Sequence, residues 1–193
     1  MKIVDVMQMT DNRCLNMFEI RYQDMRGNEK RWHMVSRQRT PRCVTFEFDN
    51  PDAVVIIPFH EPSGKLVLIK EFRVPLGDYQ YGFPAGLVDP GETVFGAAKR
   101  ELEEETGLTA TRLLFQRPPA YTSTGISDES VSMVNVACNG EPSQIHNESS
   151  EDIETILVSY AQVFVAHVRV VLQVVPGTMV ADRSVVDDIA AVG

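Results

Sequence analysis

The stretch from Gly86 to Leu108, GLVDPGETVFGAAKRELEEETGL, constrains the fold more than any other part of the chain. Its second half predicts a helix over residues 93–106, where Ala97, Ala98, Lys99, Arg100, Leu102 and a run of glutamates are good helix formers. Pro90-Gly91 interrupts what precedes it, and Gly107 stands where a left-handed residue ends a helix. Phe95, Ala98 and Leu102 recur at i, i+3 and i+7, an apolar stripe that needs a core to pack against. The neighbouring face carries Glu101 and Glu105 at i, i+4, with Glu104 beside them. Like charges at that spacing cost an isolated helix roughly 0.2–0.5 kcal/mol per pair, so something must offset them. Arg100 is expected to neutralise at most one carboxylate, and Lys99 to point elsewhere. A hard divalent cation held by oxygen ligands would relieve all three together. The plainer reading is a solvated acidic face, which is what most glutamate runs are.

Spacing weighs against the plain reading. The stretch follows G-x5-E-x7-R-E-U-x-E-E-x-G-U, with U aliphatic, through Gly86, Glu92, Arg100, Glu101, Leu102, Glu104, Glu105, Gly107 and Leu108. Seven fixed residues at about 7% frequency each would coincide by chance below ~10⁻⁸ per start position. This pattern is the Nudix box, and the chain resembles the Nudix hydrolases, Mg²⁺-dependent enzymes that hydrolyse nucleoside diphosphates linked to another moiety.

Strands and a helix interleave along the chain, with hairpins before and after, which makes the class α/β. Residues 13–22 and 30–38 read as a hairpin turned at Gly27-Asn28. Ala53–Phe59 is a continuous apolar run of the kind buried on both faces, and residues 65–74 resume as a second strand. Strands are also expected at residues 111–115, 130–137 and 153–158, with loops at 117–128 and 139–151. Tyr160–His167 is a candidate helix start, and residues 168–193 show no clear period. The resemblance implies the specific form over residues 50–160: a Nudix-type α/β/α sandwich with a mixed β-sheet, preceded by an N-terminal β-hairpin leader. The division is therefore a leader over residues 1–48 and a Nudix domain over 49–193, with 168–193 left open. In longer Nudix pyrophosphatases such a leader packs on a partner subunit, which implies a homodimer; a leader folded on its own domain is the alternative.

The 193 residues suit one domain of ordinary size, and the formal net charge of −9 argues against a nucleic-acid-binding surface. The apolar stretch Val163–Val175 is broken by His167, Arg169 and Gln173 and cannot span a bilayer. Three cysteines, Cys14, Cys43 and Cys138, form no C-x-x-C pair, and the opening residues form no signal peptide, so a reducing cytoplasm is expected.

The resemblance also assigns roles. Glu101 and Glu105 are the main metal ligands, Glu104 a further one, and the carbonyl of Ala85 helps; the ion is Mg²⁺, with Mn²⁺ as an alternative. Gly86, Glu92, Arg100 and Gly107 are structural, Glu92 and Arg100 bracing the loop against the helix. The general base falls in the loop before the last strand, where Glu151 is the candidate and Glu129 and Glu148 its rivals. Lys70-Glu71-Phe72-Arg73 is similar to a Gln-aromatic-Arg element that clamps phosphate, with Glu71 in place of the glutamine; a salt bridge at a strand end is the other reading of Arg73. Ser123-Thr124-Gly125 stands where ADP-ribose-cleaving relatives carry Ser-Pro-Gly, so Ser123 and Gly125 are candidate substrate contacts, with threonine replacing the proline. Phe72, Tyr79, Tyr81 and Tyr121 are candidates to stack on a base. The implied substrate is a nucleoside diphosphate sugar, ADP-ribose first, cleaved to AMP and a sugar phosphate. A GDP-sugar such as GDP-mannose and a non-catalytic nucleotide-sugar-binding domain are the alternatives.

Overall fold

The computed structural model describes residues 1–145 and 152–159. They form two compact units: residues 1–53 with 118–132, and residues 54–117 with those from 133 onward.

The first unit is built on a three-stranded antiparallel sheet, β1 (Lys2–Gln8), β2 (Asn16–Gln23) and β3 (Glu29–Ser36), in that order. The hairpin expected from sequence is β2–β3, and β1 adds a strand to it. Asp24 closes the turn by accepting the backbone N–H groups of Arg26 and Asn28, and Gly27 takes the left-handed conformation the turn requires, φ 81°. A single helical turn, α1 (Arg42–Thr45), follows and buries Arg42. The Arg42 guanidinium meets Asp52 at 2.9 Å and donates to the carbonyls of Glu47 and Asn50, while its backbone N–H donates to Asp128. Asp52 also accepts from Gln38 and from the Ser130 N–H. A charge out of water is tolerated only when paired and hydrogen-bonded in this way.

In the second unit, β4 (Ala53–His60), β5 (Lys65–Arg73), β8 (Thr109–Gln116), β10 (Ser130–Asn139) and β11 (Ile153–Val158) lie in the order β11-β5-β4-β10-β8. The short strands β6 (Asp78–Gly82) and β7 (Ala85–Leu87) pair with β5 and β4; β9 (Ala120–Tyr121) belongs to the first unit, as do its partners Ser130 and Val131 at the start of β10. Along β4 every second residue, from Val54 to His60, is buried and the others half-buried, so both faces are covered, one more completely. Helix α2 (Val94–Thr106) covers one face. Thr93 caps it, its hydroxyl accepting the Gly96 N–H at 3.0 Å, and Gly107 ends it at φ 71°. Ala97, Ala98 and Leu102 pack with Val54, Ile56, Val67, Val134, Val136 and Cys138. Side chains alternate along β5, so Leu66 and Leu68 face the other way, where they gather with Phe59, Phe83 and Val158.

One contact fixes each end of α2. Pro84's carbonyl accepts the Ile56 N–H at 2.8 Å, which pins the loop to the central strand. At the other end of the helix, a Cβ on Gly107 would stand 2.7 Å from that of Ser143, so the residue must be glycine for space as well as for conformation. Among the described residues α2 is the only helix longer than one turn, and none is long and apolar enough to cross a membrane. The Tyr160–His167 helix start and the stretch 168–193 lie outside the described residues.

Candidate active site

The apolar stripe of α2 is satisfied by the core beneath it, which leaves the acidic edge beside the loop at Ala85-Gly86. Glu105 is 5% exposed, and its carboxylate accepts the Ala85 N–H at 3.1 Å. Glu101 lies against Gly86 so closely that a Cβ there would fall 1.9 Å from its carboxylate carbon. Glycine at 86 is therefore what lets that carboxylate occupy its place. Glu104 is the most exposed of the three.

Arg100 reaches further than the spacing suggests. Instead of one carboxylate it hydrogen-bonds three, with Asp89 at 4.0 Å as a fourth ion-pair partner: Nε and Nη2 donate to Glu92 at 3.3 and 3.0 Å, and Nη1 donates to Glu101 at 2.8 Å and Glu104 at 3.0 Å. Nη2 also donates to the Leu87 carbonyl. The guanidinium holds the Glu92 carboxyl below the usual carboxylate range, and these carboxylates push Arg100 up in return. Glu92 in addition accepts the Asp89 N–H, closing the loop on itself. One positive charge against Glu92, Glu101 and Glu104 still leaves a negative excess. Lys99 leans away over the Phe95 ring at 5.3 Å.

Among the described residues no three acidic, histidine or cysteine side chains are already gathered as a cation cage. The donor set nevertheless suits a hard divalent ion: it is all oxygen and over-negative, and a cationic nitrogen already sits between Glu101 and Glu104.

Arg73 ends β5 and pairs with Glu71 at 2.8 Å, half-exposed; by alternation both share the β5 face of Val67, the face under α2. Ser123 heads a turn, its carbonyl accepting the N–H groups of Ile126 and Ser127, and Gly125 has open space where a Cβ would stand. Both belong to the first unit. Glu129 is held by Arg37 at 2.8 Å and by the Thr122 hydroxyl. Glu151 and Glu148 lie outside the described residues. A group that sequence reasoning left scattered is also drawn together: Phe72 and Tyr79 pack edge to face at 5.4 Å, Lys70 lies over the Tyr79 ring, and the Tyr79 hydroxyl bonds to Asp152. The turn residues after Arg73 were the available signal, since they fold β6 back on β5 and place Phe72 opposite Tyr79.

The sequence and the fold are similar to those of known proteins. An ADP-sugar pyrophosphatase of Mus musculus is 33% identical over 123 residues, covering 62% of this chain and 53% of the relative. The ADP compounds hydrolase NudE of Escherichia coli is 44% identical over 78 residues, 38% of this chain and 41% of that protein. The chain thus spans about half the length of the curated relatives it matches. A crystal structure of an ADP compounds hydrolase superimposes with a TM-score of 0.64 at 25% identity, over 84% of this chain and 80% of the other. The NUDIX domain model matches residues 49–174, nearly two thirds of the sequence, and the chain belongs to that family.

Proposed function

We propose that the protein hydrolyses the diphosphate bond of a nucleoside diphosphate sugar with Mg²⁺, ADP-ribose being the leading substrate and AMP and a sugar phosphate the products. The observation that carries this reading is the folding of Glu101 and Glu105 against Ala85-Gly86, with Glu104 beside them. The relatives' names, ADP-sugar pyrophosphatase and ADP compounds hydrolase, support the substrate class. GDP-mannose is the second substrate to test.

Glu101, Glu104, Glu105 and the Ala85 carbonyl would hold the ion, which supplies neutralising charge and Lewis acidity to the diphosphate. Arg73, at the end of β5, is assigned to bind a phosphate through its forked donors, exchanging Glu71 for the substrate. Ser123 and Gly125 are assigned as further substrate contacts. Glu151 takes a proton from the attacking water as its oxygen bonds to one phosphorus, and the bridging oxygen departs with the other phosphate. Incubation with Mg²⁺ and a panel of nucleoside diphosphate sugars tests the reading. Binding without product from any of them would point to a sensor instead.

Two further predictions attach to this assignment. Glu151→Gln is expected to slow turnover by about 10²–10⁴-fold with metal affinity unchanged. If Glu129→Gln has that effect and Glu151→Gln does not, the base is misassigned. Gly86→Ala is expected to leave the fold in place, because the clash falls on the mobile end of Glu101. The displaced carboxylate should raise the Mg²⁺ concentration needed for half-maximal rate by roughly 10–100-fold; an unchanged Mg²⁺ curve would show that Glu101 is no ligand.

A homodimer formed through residues 1–45 completes the proposal. The three-stranded sheet exposes Ile3, Val4, Met7, Met17 and Trp32, and a groove of about 370 Å³ opens beside Ile3, Ile20, Tyr22 and Trp32. These open apolar side chains, Ile3 and Trp32 on one face of the sheet and Met7 and Met17 on the other, support this reading. A monomer mass by light scattering at micromolar concentration would remove this part. Three unpaired thiols, at Cys14, Cys43 and Cys138, support a cytoplasmic place.

A further inference from the structure

Arg100 is anchored on one side and engaged on the other. Its Nε and Nη2 make a forked pair with Glu92, and Nη2 adds the Leu87 carbonyl. Nη1 faces the opposite way, 2.8 Å from Glu101 and 3.0 Å from Glu104. A guanidinium is planar and rigid, and it keeps its charge throughout the working pH range. The edge that grips Glu92 therefore holds Nη1 between two carboxylates as a fixed cation. A divalent ion taking oxygens from both would sit within a few ångströms of that nitrogen and compete for the same lone pairs.

We propose that Arg100 is the counter-cation of Glu101 and Glu104 and competes with the metal for them, so that metal binding displaces its Nη1 from both while Glu92 and Leu87 retain the other edge. This rests on the reading that those glutamates ligate the metal. It gives Arg100 a role opposite to that of a brace that prepares the ligands. The guanidinium stabilises the acidic edge of α2 before any ion arrives, and it lowers the affinity for the ion. The helix can then form with Glu101 and Glu104 already compensated, and the metal is held less tightly than the bare carboxylates would hold it.

The two roles predict effects of opposite sign. The full chain and its Arg100→Gln variant are titrated with MgCl₂ and MnCl₂ by calorimetry, and each is melted with and without metal. Arg100→Gln is expected to melt lower than wild type without metal, to bind the ions about tenfold more tightly, and to gain more in melting temperature on adding them. Weaker or unchanged metal binding by a folded Arg100→Gln overturns the proposal and leaves the metal reading standing. Should that variant not fold, the wild type decides. Its Arg100 side-chain ¹⁵N signals, assigned by their loss in Arg100→Lys, are expected to move on Mg²⁺ saturation. Signals that stay put at saturation overturn the proposal. A wild type that binds neither ion overturns the metal reading itself, and this inference with it.

Discussion

Glu105→Gln is expected to lower turnover of the proposed substrate, ADP-ribose, by roughly 10²–10³-fold while the melting temperature changes by only a few degrees. Both halves of the expectation come from the same contact. Glu105 is 5% exposed and accepts the Ala85 N–H, and a glutamine oxygen in its place can accept that bond with the same chain length. The second carboxylate oxygen becomes an amide NH₂, which donates where a metal needs a lone pair. Initial rates across a Mg²⁺ series, beside a thermal melt, separate the two effects. Turnover near the wild-type value would remove Glu105 from the ligand set.

Arg42→Met is expected to have the largest effect on stability, a loss of about 3–5 kcal/mol, or roughly 10 °C in melting temperature. Arg42 is 4% exposed, and the Asp52 side chain it meets at 2.9 Å is equally buried. Methionine fills much of the volume but leaves Asp52 buried without its counter-charge, and the carbonyls of Glu47 and Asn50 without their donor. Arg42→Met with Asp52→Leu should recover part of the loss, because an apolar pair of similar volume has no charge to strand. A single variant that melts within about 1 kcal/mol of wild type would show that water reaches the pair and screens it.

The parts of this architecture that local chemistry controls are readable from the residues alone. Pro90-Gly91, the Phe95–Ala98–Leu102 stripe and Gly107 announce α2 with both ends, and the alternation of residues 130–137 announces β10. What needs distant partners is not. The three-residue strand β7 exists because β4 pairs with it and Ile56 donates to Pro84, and nothing within Ala85–Leu87 signals that. Strand β1 likewise draws its order from pairing with β2, since six of its seven residues are exposed. The spacing of the box led to the carboxylate edge but understated Arg100. An i, i+4 count finds Glu104, whereas Glu92 is brought within reach by the turn at Pro90-Gly91. The Arg42, Asp52 and Asp128 cluster joins positions up to 86 residues apart and leaves no local trace.

Cys138, fully enclosed in the cluster beneath α2, has a thiol pushed up to about 11 by burial, with Glu61 adding to the effect. Almost none of it is thiolate at neutral pH, and oxidants or alkylating reagents attack only the thiolate. Cys14, on the surface, would be labelled first. The molecule thus carries an internal clock: labelling of Cys138 proceeds no faster than the sheet opens, and its rate measures how often the interior is laid bare.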